Sequence, residues 1–296
     1  ARALVDQQPR ARIAEMIDRS HRAVARDQAF EPITITFVVV LVINIALAVL
    51  CLARLPRLGP LVRWLALLVL AVLPASYLLG LVSIESPVAL GVALFAAATA
   101  LTVLAAITRR FDKDAPPLVL IGLLWLVLAV DIATGGHLQI NTVFGYSPIV
   151  AGRFAGFGNQ AFSMFAIGSM LLAAVFVERR TPRGERIGNG ALIAVIGWFA
   201  LVIVLDGHPA MGSDVGGVLA LVPATAIAVM LFRGISINKR LAAAVGAATV
   251  LVLVGFAALD LSRPADERTH LGRFASKLVD GDAGEIIQRK IAANLR

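Results

Sequence analysis

The sequence predicts an all-α, polytopic integral membrane fold of about eight transmembrane helices, with its N- and C-terminal segments outside the cytoplasm. Three observations predict it. Of the 296 residues, 59% are hydrophobic and 16% charged, with a mean hydropathy of +0.86; soluble domains average about 45–50% apolar and about 25% charged. Eight continuous apolar runs each approach the roughly 20 helical residues that cross a hydrocarbon core of about 30 Å. The basic residues, finally, collect in alternate loops between those runs.

Residues 1–31 come first, with Arg10, Arg12, Asp18, Arg19, Arg22 and Arg26 around Ile13, Met16 and Ile17. This mixture reads as a solvated or interfacial helix outside the cytoplasm, its charges forming a wet face. It carries no signal-peptide pattern and starts on alanine, so the chain reads as a piece of a longer polypeptide. A transmembrane domain follows over 32–260, its apolar runs near 32–52, 61–82, 87–107, 117–136, 160–177, 190–206, 216–232 and 241–260. The runs are continuous and rich in Leu and Ala, which argues for helices over alternating barrel strands.

The loops set the orientation. Thirteen basic residues follow helices one, three, five and seven, among them Arg54, Arg109, Arg179 and Lys239. The loops after helices two, four and six hold Arg153 alone. By the positive-inside rule the basic loops are cytoplasmic, as in a multi-pass protein of the plasma membrane. The same placement accounts for the net charge of +8 without nucleic acid as a partner. The lone Cys51 sits in an apolar run, so neither a disulfide framework nor a cysteine metal site exists.

Against this background the stretch from Asp131 to Gln160 stands out. It holds six glycines, His137, Asn141, Tyr146 and the isolated cation Arg153. Helix five begins after Gly152-Arg153-Phe154-Ala155-Gly156-Phe157-Gly158, with Asn159 as its expected N-cap. Exposed amides, a helix dipole and a guanidinium together suit a phosphate or carboxylate. Helix seven follows a second glycine-rich loop, in which Ser213 or Asp214 is the expected cap. Asp131, Asp206 and Asp260 each stand at the outer, C-terminal end of a helix, where the dipole disfavours a carboxylate by roughly 0.3–1 kcal/mol. They therefore need cationic partners, a metal or a raised pKa, or else simply mark where helices leave the membrane.

His137, His208 and His270 all fall on the outer side. With nearby carboxylates they could hold a divalent metal, but no two have local ligand spacing and no His-Glu-x-x-His pattern occurs, so no cofactor is assigned. Over 261–296 the chain turns amphipathic, with Leu271, Phe274, Ala275 and Leu278 on one face and His270, Arg273 and Lys277 on the other, as in a helix lying on the outer membrane surface.

The segments Phe144–Asn159, Asp206–Gly217 and Thr269–Arg273 resemble those of multi-pass cell-envelope proteins of Gram-positive bacteria, actinobacteria especially. Some members are similar to enzymes whose extracellular alkaline-phosphatase-like domain precedes a polytopic membrane domain. The resemblance covers roughly residues 30–296. It implies that residues 1–31 trail such a domain and that any phosphatase-type catalysis lies outside this chain.

Two functions follow as expectations. In the first, the chain is the membrane part of a phosphotransferase- or phosphodiesterase-like envelope protein, holding a phospholipid or lipid-linked precursor by its anionic headgroup. Arg153 is then the main contact, with Asn159, Asn141, Tyr146 and the glycine backbone beside it. Asp131 and Asp206 orient it or accept sugar or glycerol hydroxyls, His208 and Asp214 count among the substrate-binding residues, and His270 and Arg273 close the site. Membrane lipids and an extracytoplasmic domain or subunit are the expected partners. In the second, the chain is a transporter or lipid flippase, with Asp and His as a proton relay.

Overall fold

The computed structural model describes residues 9–140, 142–146, 156–181, 185–279 and 284. Nine α-helices run through them: α1 Pro9–Ala53, α2 Gly59–Leu78, α3 Pro87–Ile107, α4 Ala115–Ala133, α5 Asn159–Arg180, α6 Asn189–Gly207, α7 Val215–Arg233, α8 Lys239–Leu261 and α9 His270–Val279. The first eight are long and apolar enough to cross a membrane. The described residues contain no strand, only an isolated bridge between Ile140 and Tyr146. The protein is all-α and polytopic, and the seven apolar runs from residue 61 onward coincide with α2 to α8.

Local chemistry sets the helix ends. Prolines occupy the first turns of α2, α3 and α4, where the missing N–H would be unsatisfied anyway. Ser86 caps α3 by accepting the Ala89 N–H, and Asn238 caps α8 by accepting that of Leu241. Asp214 caps α7 through the Gly216 N–H, as expected. At the start of α5, however, the first helical bond runs from the Phe162 N–H to the Gly158 carbonyl. Gly158 therefore holds the cap position and Asn159 is the first helical residue, so the helix starts one place earlier than the sequence suggested.

One helix, α1, runs from Pro9 to Ala53 and passes straight through Pro32. The charged residues before position 32 thus continue the first spanning helix instead of forming a helix of their own. Arg26 within that part is buried, as are Ala23, Ala25 and Ala29.

The chain divides into two compact units. The first contains α1 to α4 and the opening turns of α5 as far as Gly168; the second contains α5 from Ser169 onwards and α6 to α9. In the first unit α2 packs against α1, α3 and α4, burying Ala71, Pro74, Ala75 and Tyr77. In the second, Ala173, Val177, Val195 and Phe199 form one core cluster, and Val218, Val222 and Phe256 another. Many large apolar side chains, such as Val42, Phe95, Ile193 and Leu251, point outward, as lipid contact allows.

Candidate functional site

In the first unit the site is a loop, not a cavity. It runs from the end of α4 to Tyr146 and is fixed from below by side chains of three helices. Asp131, buried near the end of α4, accepts the Leu138 N–H at 2.7 Å and a Gln139 side-chain N–H at 3.2 Å. Gln139 is itself buried, and its other side-chain atom, Oε1, accepts the Gly158 N–H at 3.2 Å. Tyr146 donates its backbone N–H to the Gln139 carbonyl, and its ring lies against Gly158, where an added Cβ would stand 2.7 Å from Tyr146 Cε1. Asp131, Tyr146 and the start of α5 at Asn159 are thereby drawn into one network, with Gln139 at its centre.

Two further side chains hold the loop. Arg26 of α1 donates to the carbonyls of Thr142 (3.0 Å), Val143 (3.3 Å) and Gly145 (3.1 Å), with its guanidinium 5.0 Å from the centre of the Phe30 ring. Tyr77 of α2 donates its hydroxyl to the Phe144 carbonyl at 2.9 Å, and Phe144 meets Phe37 edge to face. A buried guanidinium is costly unless its donors are satisfied. Here three backbone carbonyls, which need donors of their own, satisfy it. Gly145 allows this close packing, because a Cβ there would collide with the Gln139 carbonyl and the Thr142 hydroxyl.

The second unit repeats the device. Asp206 is fully buried at the end of α6, and its carbonyl accepts the Asp214 N–H at 3.0 Å across the loop. His208 is turned into the same loop, its Nδ1 accepting the Ala210 N–H at 3.2 Å. Asp260, at the end of α8, accepts the backbone N–H groups of Thr269 (3.0 Å) and Gly272 (2.7 Å) as well as the Thr269 hydroxyl. It also lies 3.4 Å from Arg263, which donates to the Pro209 carbonyl at 3.1 Å. The Asp260 carboxylate therefore receives the exposed amides that open α9. His270 and Arg273 are exposed on that helix.

The unfavourable placement of carboxylates at helix C-termini thus has a physical answer for Asp131 and Asp260. Each gathers N–H donors from the polypeptide that follows it, so it acts as a staple between a helix end and its own loop. Among the expected site residues, Asp131, Tyr146 and Asn159 come together in the first unit. Asp206, His208 and Asp214 share one loop of the second, with His270 and Arg273 on α9 of that unit. Arg153 and Asn141 lie outside the described residues. Sequence reasoning missed Arg26, Gln139 and Tyr77. Ala23, Ala25 and Ala29, small residues flanking Arg26, were the only sign of a buried face in a stretch that also holds Arg19 and Arg22. Among the described residues no three His, Cys, Asp or Glu side chains converge as metal ligands.

Comparison with family models, curated proteins and solved structures found no match.

Proposed function

We propose that the chain is the membrane domain of a cell-envelope phosphotransferase- or phosphodiesterase-like protein of the plasma membrane, and that its outward end holds the anionic headgroup of a phospholipid or lipid-linked precursor. The observation that carries this reading is the one-sidedness of the buried charge. Among the described residues the buried ionisable side chains include Arg26, Tyr77, Asp131, Asp206, Asp214 and Asp260. Tyr77 and the four aspartates sit at helix ends or in loops, and Arg26 lies within α1 against the carbonyls of Thr142, Val143 and Gly145, all on the side that the loop charges assign as non-cytoplasmic. In this reading they stiffen the outer end of each unit separately, and Arg153, just before α5 in the sequence, supplies the guanidinium that meets the headgroup. The phosphatase-like chemistry implied by the resemblance belongs to groups outside these residues.

A transporter needs polar groups that continue towards the cytoplasm. The buried polar residues deeper in the helices give that reading less support. Asn44 donates to the Val62 carbonyl, and Thr102, Thr225 and Thr249 donate to carbonyls of their own helices. They are neutral and already bonded. Arg153→Ala tests the proposal. Anionic lipid recovered with the purified protein, measured by mass spectrometry, should fall by roughly tenfold or more, the loss of one charge-assisted contact, with expression and insertion unchanged. Wild-type lipid recovery and envelope function in that variant would remove Arg153 from the site.

A further inference from the structure

A groove of about 580 Å³ opens in the first unit among α1, α2 and α3. We infer that it seats one aliphatic tail of a lipid from the outer leaflet. Its walls include Pro32 and Val40 of α1, Val72 of α2, and Pro87, Gly91 and Phe95 of α3. Thr36 also lines it, but the Thr36 hydroxyl donates to the Pro32 carbonyl at 2.7 Å, so the lining is in effect hydrocarbon. At Gly91 an added Cβ would have no atom within 4 Å.

Length identifies the occupant. Along α1 the groove extends from Gln28 to Val40, about 18 Å at 1.5 Å per residue. One leaflet contributes about 15 Å of a hydrocarbon core about 30 Å thick. The end marked by Gln28 and Pro87 lies at the outer interface, because α3 starts there after an outer loop, and the other end stops near mid-membrane.

Polarity changes at the mouth as a lipid requires. Gln28 is the last polar lining residue, and His21 and Arg22 follow two turns further out on α1. His21 pairs with Glu85 at 3.5 Å and Arg22 with Asp18 at 2.6 Å. Arg22 Nε is buried, with no hydrogen-bond partner among the described residues. This tail seat does not depend on Arg153, and shares with the headgroup reading only the topology.

The test uses the full chain in vesicles of phosphatidylcholine and phosphatidylglycerol, with a trace of phospholipid carrying a diazirine in one acyl chain. After irradiation, adducts mapped by peptide mass spectrometry should concentrate on 28–40 and 87–95. Gly91→Leu fills the groove and should lower those adducts roughly tenfold. Gly122→Leu on α4, where an added Cβ also meets nothing within 4 Å, should leave them unchanged. Val88→Trp, at an exposed position of the same wall, gives a second blocking variant that does not strain the core. Arg153→Ala should label as wild type, so the tail and headgroup readings fail separately. Adducts spread evenly over α1 to α8, equal labelling in both blocking variants, or protein–protein crosslinks in place of lipid adducts would each overturn the inference.

Discussion

Arg26 lies among arginines that pair with a carboxylate one turn earlier, such as Arg19 with Glu15 and Arg22 with Asp18, and no such pairing sets it apart as a charge in the sequence. Its role is set by carbonyls 116 to 119 residues away, a distance that periodicity cannot reach. Gln139 was illegible for the same reason: its two partners, Asp131 and Gly158, lie on opposite sides of it in the chain. The aspartates were legible as anomalies, since a carboxylate at a helix C-terminus demands compensation, but the compensating amides were not. Arg26→Met should therefore do more harm than its charge alone suggests. It leaves three loop carbonyls without their donor, at about 1–3 kcal/mol for each buried group so orphaned. Hydrogen exchange of the amides in 142–146 should accelerate by roughly a hundredfold. Tyr77→Phe, which removes one donor worth about 1 kcal/mol, should give a smaller acceleration at the same amides. Wild-type exchange in Arg26→Met would show that the loop is held without it.

Helices were the most legible elements, because a continuous apolar run bounded by Pro, Ser or Asn fixes a spanning helix with no knowledge of its neighbours. The seven runs from 61 onward match α2 to α8 to within a few residues. The first did not, since Pro32 stands where composition turns from charged to apolar and proline favours a first turn; α1 instead continues through it. At the other end, α9 was legible as amphipathic, but its attachment was not. Its opening amides are received by Asp260, and Gly272 lies so close that an added Cβ would stand 2.5 Å from Asp260 Oδ2. Asp260→Ala should release α9 from α8 at a cost of about 2–3 kcal/mol, the loss of several hydrogen bonds to a charged acceptor. Limited proteolysis within 262–269 should then quicken markedly while α1 to α7 stay protected. An unchanged cleavage rate would assign the docking of α9 to its apolar face alone.

At the scale of the whole molecule, membrane class and helix count follow from composition and run length, and the asymmetry of basic residues predicts a sidedness. Division into two compact units was not legible, because α5, which contributes to both, reads as one uninterrupted apolar run. Sidedness is the claim on which headgroup and tail readings both depend, and thiol accessibility tests it most directly. Cys51 is the only cysteine, so Cys51→Ser provides a blank background. Single cysteines at Thr134 and Ser262, both exposed at the ends of α4 and α8, and at Arg57 and Arg110 in basic loops, report the two faces. On intact cells a membrane-impermeant maleimide should label Thr134→Cys and Ser262→Cys, and should reach Arg57→Cys and Arg110→Cys only after the cells are opened. Labelling of the basic-loop positions in intact cells, with Thr134→Cys and Ser262→Cys protected, would contradict an outward-facing polar rim.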